Sequence, residues 1–504
     1  MKEKLHLIKK GDNVAVALTG LKVDECVHIE DLSVTVKDDI PAGHKIALAK
    51  IKKEEKVIKY GFPVGRADKE IEIGQHVHTH NVKTLLTEKA EYHYNPSPMA
   101  PQVQSAPVPE IDVYRRKDGR IGIRNEIWII PTVGCVNKTA EILANWANKE
   151  LCGKGSGVDG VYAWTHPYGC SQMGSDHQMT RTILADLAKH PNAAAVLVLS
   201  LGCEKITTDE FKNALGSYAD DTERMAFLIT QDHEDELIEG RKLLLTLSLN
   251  ASKAKREKAK MSELIVGMKC GASDGFSGIT ANPLTGMVCD TLCRAGASVI
   301  LTEVPEMFGA EQMLMDRCEN REVYDKTVSL ISGFKEYLSS HNQVIYENPS
   351  PGNNDGGITT LEEKSCGCVQ KGGKTPVVDV FRHGDIIPAS SKGGLMLLEG
   401  PGNDIVSVTA MTAAGAHLIL FTTGRGTPLG APVPTIKIAS NSGLAKKKAN
   451  WIDFDAGPLL EKNAGTLCSE LLELIAEIAS GRKKAKNEIN GYREISIFKT
   501  GVIL

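Results

Sequence analysis

The sequence predicts an α/β protein: a small β-rich N-terminal module, then two α/β sections whose sheets are largely parallel. Three features carry that expectation. Residues 1–90 read as short extended pieces separated by glycine and proline turns. Residues 95–109 (NPSPMAPQVQSAPVP) hold five prolines and almost no charge, the composition of a stiff linker. From Glu126 onward, short apolar runs alternate with helical stretches, the rhythm of strand, crossover and parallel strand. The expected boundaries are a β-rich module over 1–90, a linker over 91–111, a first α/β section over 112–255 and a C-terminal α/β section over 261–504.

Composition narrows the function classes. A chain of 504 residues, 42% of them hydrophobic, can bury several cores without disulfide staples. Its net charge of −4 offers no footprint for nucleic acid or an anionic membrane, so an anionic substrate must meet a local cluster of cations. The opening MKEKLHLIKK lacks the apolar stretch of a secretory signal. No apolar run approaches the roughly 18 residues of a membrane helix. A cytoplasmic protein with reduced cysteines is expected.

Taken in order, residues 13–18 (NVAVAL) and 56–60 (KVIKY) are β-prone, and Pro41-Ala42-Gly43 is a turn between them. In the first α/β section, residues 126–130 run out at Cys135. Residues 160–164 run out at His166 and Cys170, and residues 195–201 at Cys203, Glu204 and Lys205. Residues 226–230 give a fourth strand, and 252–260 (SKAKREKAK) a basic, solvated hinge. The rhythm then restarts. Residues 264–268 lead to Cys270 and Asp274, 298–301 to Glu303 and Glu306, 377–381 to His383, and 417–421 to Arg425. The stretch 348–373 reads as a long irregular loop, of a length that in compact proteins is functional or mobile. In open parallel sheets, ligands sit beyond the carboxyl ends of the strands, so these loops carry the chemistry.

Four groups of residues stand out there. His76-Val-His78-Thr-His80 puts three imidazoles on one face of an extended segment, a set that can chelate a divalent metal. The alternative is an exposed polar edge. Cys135, Cys170, Cys203 and Cys270 each follow an expected strand with glycine close by, where thiolates can hold iron or an iron–sulfur cluster. Their spacing matches no C-x-x-C signature, and small apolar filler is the other reading. Cys366-Gly-Cys368 is the one pair close enough in sequence to chelate. Arg120, Arg124 and Asn125 in DGRIGIRN and Arg425 in TGRGTP suit carboxylate binding, with ion pairing as the alternative. His166, Glu204, Lys205, Asp274, Glu303, Glu306, Glu362 and Glu363 are acid–base candidates. No glycine-rich stretch carries a Walker lysine pattern or a dinucleotide fingerprint.

KYGFPVGRA, GQHVHTHN, DGRIGIRNEIWIIPTVGCVN, HPYGCSQMGSDH, LSLGCEK, KCGASDGFSGITANP, LTEVPEMFGAEQ, ENPSPGNNDGGITTLEEKS, LFTTGRGTP and WIDFDAG together resemble the altronate/galactarate dehydratase family. The resemblance runs in order over essentially the whole chain. It implies an N-terminal SAF (β-clip) domain on two α/β sections. It implies loss of water from a sugar acid, D-altronate giving 2-keto-3-deoxy-D-gluconate in hexuronate catabolism. ITTLEEKS and EMFGAEQ lie nearer the altronate than the galactarate side. Galactarate, another sugar acid, or a non-catalytic sugar-acid-binding role are the alternatives, and two-chain relatives include a sulfolactate sulfo-lyase. The implied cofactor is Fe²⁺, with Mn²⁺ as a substitute and an iron–sulfur cluster left open. Family cysteines fall on Cys135, Cys170, Cys203 and Cys270.

Residues and resemblance together set these expectations. The metal ligands are His76, His78, Cys135, Cys170 and Cys203. Arg124, Asn125, Asp274 and Arg425 bind the substrate. Lys205 or His166 takes the C2 proton, and His166 or Glu204 protonates the departing C3 hydroxyl. The β module brings His76 and His78 to the mouth of the first α/β section as a lid. The partner is a small-molecule sugar acid, with a homo-oligomer allowed and neither nucleic acid nor membrane involved.

Overall fold

The computed structural model describes residues 3–86, 91–96, 108–153, 155–346 and 348–501. Most of the expected proline-rich linker, residues 97–107, lies outside the described residues.

The N-terminal module is built from short antiparallel strands. Leu5–His6, Val14–Ala17, Lys45–Ala47 and His76–Val77 form one sheet. Lys56–Lys59, Phe62–Ala67 and Val82–Lys83 form a second, and Cys26–Ile29 pairs with Leu32–Thr35. Period-2 alternation sorts the faces. Ala15 and Ala17 join Leu21, Val27 and Val34 in a small core of the module's own. Val14 and Val16 point the other way, into a core continuous with Leu284, Leu361 and Leu420 of the C-terminal section. The module is therefore docked on the C-terminal section and not at the mouth of the first one. Glycine makes the contact possible. A Cβ on Gly275 would fall 1.9 Å from the Gly43 carbonyl oxygen, and one on Gly357 would fall 2.4 Å from it.

The first α/β section has four parallel strands in the order Gly160–Ala163, Glu126–Pro131, Ala193–Ser200, Met225–Ile229. Its central strand is buried on both faces, as parallel strands are. Trp128 and Ile130 pack against the helix Gly174–Lys189, whereas Ile127 and Ile129 pack against Asn137–Glu150 and Glu236–Ala251. Each such fully buried isoleucine contributes roughly 1.5–3 kcal/mol.

The expected solvated hinge is instead a strand. Arg256–Lys260 pairs antiparallel with Glu110–Arg115, and Ile121–Gly122 closes the other side. The lysines of that strand stay exposed while Ala259 turns inward, which hides the strand in a basic sequence.

The C-terminal section has seven parallel strands in the order Val377–Phe381, Gly394–Leu398, Ser298–Leu301, Ile265–Gly271, Leu418–Thr423, Thr435–Ala439, Phe454–Asp455. The chain starts at Ile265–Gly271, builds outward to one side, then returns and builds to the other. The strand order reverses between Ile265–Gly271 and Leu418–Thr423, the place where open α/β sheets leave a crevice. The stretch 348–373, expected as a loose loop, holds the helices Pro351–Asp355 and Leu361–Cys368 and the 3₁₀ turn Val369–Gly372, and all eight residues of Leu361–Cys368 are buried. Thr360 caps that second helix by accepting from the Glu363 amide, and its hydroxyl donates to the Val64 carbonyl of the β module. No helix among the described residues is long and apolar enough to cross a membrane.

Candidate functional site

The site begins with strand pairing inside the β module. Lys45 lies opposite Val77 and Ile46 opposite His76. One step further along that antiparallel register, His44 falls opposite His78, so cross-strand neighbours share a face. Beyond Val77 the chain turns. Asn81 folds the turn by accepting from the His78 amide and donating to the His76 carbonyl, 2.9 Å each. The turn takes His80 out of the set and His44 enters it. The ligating nitrogens of His44, His76 and His78 lie within 4.8 Å of one another, with His44 Nδ1 3.0 Å from His76 Nε2. The His80 ring lies 5.3 Å from that of His76, on the exposed rim.

Burial keeps these imidazoles neutral. It pulls His76 down to about 3, helped by repulsion from His44 and His78, and His78 to about 4, helped by Lys45. His44 is lowered by burial as well. A neutral imidazole offers a lone pair, the form a cation binds.

The C-terminal section fixes the ring orientations. His44 Nε2–H donates to the Asp355 carbonyl at 3.2 Å, which leaves Nδ1 unprotonated and facing His76 Nε2 at 3.0 Å. His78 Nδ1 lies 3.2 Å from Thr359 Oγ1. That hydroxyl also accepts from Lys45 Nζ at 2.7 Å, and Lys45 donates further to the Gly357 carbonyl and to Glu363 Oε2. Lys59 holds the other Glu363 oxygen at 2.8 Å. Burial raises the Glu363 carboxyl, but Lys45 and Lys59 together hold it far below the usual range. Burial brings Lys45 down to about 8 against the pull of Glu363. Outer hydrogen bonds of this kind set the tautomer and aim of a ligating histidine. Three neutral imidazoles on one face, two of them held at a ring nitrogen by Asp355 or Thr359, fit a divalent metal ion.

The same segment carries cationic and polar groups. Arg425 Nη1 donates to the Gly352 carbonyl at 2.7 Å and lies 3.4 Å from Asp355 Oδ2, while about half of its side chain stays exposed. A cavity of about 340 Å³ beside it is lined by Asn348, Ser350, Asn353, Lys364, Glu306 and Asp404 among others. Asp274 is buried and saturated. Its oxygens accept from the Ser277 amide and hydroxyl, Ser440 Oγ and Asn441 Nδ2. It pins the Ala272–Ser277 turn to the strand-end loops and reaches no open space.

The other expected residues lie elsewhere. Arg124 is buried in a bidentate pair with Glu488 and also donates to the carbonyls of Ile123 and Ile478. Asn125 donates to Gly157 and Ala251 and accepts from Arg116. Both are buried and tie the first section to its surroundings, away from the histidines. His166 has both ring nitrogens engaged, Nε2 with the Pro131 carbonyl at 2.8 Å and Nδ1 with the Tyr168 amide at 3.2 Å. Glu204 closes its own turn through Thr132, Leu201 and Gly202. Lys205 is exposed and donates to the Gln172 carbonyl. Cys135, Cys170 and Cys203 are exposed on the open edge of the first sheet, and among the described residues none joins a three-ligand cluster with the histidines.

Sequence reasoning missed His44, Thr359, Lys45 and Lys59. The one signal for His44, Lys45 and Lys59 was a lysine or histidine beside or inside a β-prone run, and Thr359 carried none.

Family descriptions match the chain in three parts: "Altronate/galactarate dehydratase SAF domain" over residues 3–85, "D-galactarate dehydratase/Altronate hydrolase, second domain" over 113–252, and "D-galactarate/Altronate dehydratase, C-terminal" over 261–503. Altronate dehydratase of Escherichia coli (strain K12) is 49% identical over 502 residues, covering 99% of both chains. That of Bacillus subtilis (strain 168) is 46% identical, again over 99% of both. Galactarate dehydratase (L-threo-forming) of Escherichia coli (strain K12) is 31% identical over 97% of this chain and 95% of its own. These are sugar-acid dehydratases, enzymes of the hydro-lyase class. The chain belongs to the altronate/galactarate dehydratase family.

Proposed function

We propose that the chain removes water from D-altronate to give 2-dehydro-3-deoxy-D-gluconate, acting in hexuronate catabolism in the cytoplasm, and that it does so where the β module meets the C-terminal sheet. The observation that supports this reading most is the inward-facing His44, His76 and His78 set, locked by Asp355 and Thr359 beside Arg425, in a chain 49% identical to an altronate dehydratase. These three histidines are proposed to hold Fe²⁺, with Mn²⁺ as a substitute. Such a cation, when bound, supplies Lewis-acid stabilisation to a carboxylate as charge grows beside it.

The chain's own residues do the remainder. Arg425 grips the substrate carboxylate, since Nη1 is fixed on the Gly352 carbonyl and about half of the side chain stays exposed. Asn348 and Ser350, on the lining of the cavity, offer hydrogen bonds to sugar hydroxyls. Thr359 and Lys45 hold His78 in one orientation. The His80 imidazole, on the rim beside His76, takes the C2 proton. His166, Glu204 and Lys205 have no part in this proposal, because His166 and Glu204 are consumed by backbone hydrogen bonds and all three sit on the other sheet. A homo-oligomer is compatible with the reading, and sedimentation measures it.

The test is anaerobic incubation of Fe²⁺-loaded protein with altronate, galactarate and sulfolactate, followed by assay of the 2-keto-3-deoxy acid or released sulfite. The expected result is turnover of altronate well above the other two. No turnover of any of them overturns the enzyme reading, and faster galactarate turnover overturns the substrate.

A further inference from the structure

A second group of metal-competent side chains lies apart from the histidines, inside the C-terminal section. Cys270 is the penultimate residue of the switch-point strand Ile265–Gly271, Glu306 sits in the 3₁₀ turn Val304–Met307, and Cys368 ends the helix Leu361–Cys368. Sequence spacing pairs Cys368 with Cys366, but the fold separates them. A helix turns its residues i and i+2 to different sides, and Cys368 meets Cys270 across 98 residues of chain. The three contact distances are equal: 3.2 Å between the two Sγ atoms, and 3.2 Å from each to Glu306 Oε2. Three atoms at that spacing can all lie about 2.3 Å from one common point, the bond length of a thiolate to a divalent transition metal. All three residues are buried.

The charges around the triangle agree. Lys269, Lys364 and Lys371 face Glu303, Glu306 and Asp404 there. Three cations and three anions balance with both thiols neutral. A divalent cation that displaces the two thiol protons adds two positive charges and two thiolates, so the buried group stays balanced. Lys364 holds Glu306 Oε1 at 2.8 Å and leaves Oε2 aimed at both sulfurs. Lys371 Nζ lies 2.6 Å from Cys270 Sγ, so the sulfur already has a cationic neighbour. Glu306 and Lys364 also line the 340 Å³ cavity, which gives an ion its way in.

We propose that Cys270, Cys368 and Glu306 form a separate site for one soft divalent cation, of the Zn²⁺, Fe²⁺ or Co²⁺ class. The cation joins the switch-point strand to the helix that carries Glu362, Glu363 and Lys364. It thereby positions the wall on which Thr359 and the β-module histidines rest.

The experiment titrates chelator-stripped full-length protein with Co²⁺. It follows bound metal by elemental analysis and thiolate coordination by the near-ultraviolet sulfur-to-cobalt charge-transfer band. The expected result is two equivalents bound in the wild type with the band present. His76→Ala/His78→Ala loses one equivalent and keeps the band, whereas Cys270→Ser/Cys368→Ser loses the other equivalent together with the band. If the double cysteine variant does not fold, Cys368→Ser alone and the isosteric Glu306→Gln serve instead, and each loses or alters the band. No band in the wild type overturns the proposal. A band unchanged in these variants belongs to other thiols, such as Cys135, Cys170 and Cys203, and overturns it equally. Because the readout is metal and not turnover, these outcomes stand apart from the substrate assay.

Discussion

The first parallel sheet reverses its strand order beside Glu126–Pro131 and the C-terminal sheet beside Ile265–Gly271, and the two crevices are finished differently. At the first, the strand ends carry Cys135, Cys170 and Cys203 in the open, and behind them Glu204 is held by Thr132 and the Leu201 and Gly202 amides and His166 by the Pro131 carbonyl and Tyr168 amide. At the second, the crevice is roofed by the β module and walled by residues 350–368. Its titratable groups are paired with one another, as Lys45 and Lys59 are with Glu363. The same topology makes both openings, but only the second gains a low-dielectric lining, where imidazoles stay neutral and charges act strongly. A switch point offers a crevice, and what covers the crevice decides whether it can do chemistry.

The comparison can be broken most directly by removing side chains from each edge. His76→Ala or His78→Ala is expected to lower kcat/KM by more than about 100-fold with loss of bound iron, since outer-shell changes alone cost about 10–100-fold. Cys135→Ser/Cys170→Ser/Cys203→Ser is expected to leave iron content and turnover within about threefold, by the same elemental and product assays. A collapse of turnover in the triple variant would move the chemistry back to the first sheet.

The arginines sharpen the contrast next. Arg425→Lys is expected to raise KM for the sugar acid about 10-fold or more with the melting temperature unchanged, because a lysine loses the bidentate fork. Arg124→Ala is expected to act through stability instead, costing about 3–5 kcal/mol in denaturant unfolding, because Glu488 is left buried and unpaired. A smaller effect is expected from Thr359→Val. Loss of the hydroxyl that orients His78 should weaken iron binding about 10-fold, read by chelator competition.

The mildest prediction concerns the seam between the two α/β sections. His190 Nε2 donates to the Ala416 carbonyl and His417 Nε2 to that of Ile121, so both rings bridge the sections. Burial lowers both, His417 to about 4. A histidine depressed in the folded state gives its full stability above the unfolded value near 6.5, and loses it as pH falls towards the folded value. Between pH 6.5 and 4, His417 should therefore account for up to about 3 kcal/mol of lost stability. His417→Gln should flatten that acid limb in pH-dependent melting, and an unchanged limb would count against the seam.

Much of the fold was legible in the residues. The strands Ser298–Leu301 and Val377–Phe381 lie where the apolar runs put them, and the helices Asn137–Glu150 and Gly174–Lys189 follow the first two strands of their section as the alternating rhythm requires. The strand Arg256–Lys260 was not legible, because its lysines face water and one inward alanine carries no periodic signal. His76 and His78 were legible as a pair. His44 was not, since it joins them only through strand register 32 residues away.

The sequence by itself determined the parallel-sheet rhythm, the β-rich N-terminal module and the candidate histidine pair, because local periodicity and turn chemistry act over a few residues. The tertiary structure alone decided which sheet the module covers, which arginine is spent on a buried partner, and which cysteines meet. Those outcomes depend on face-to-face packing and desolvation between segments hundreds of residues apart. No local pattern records that.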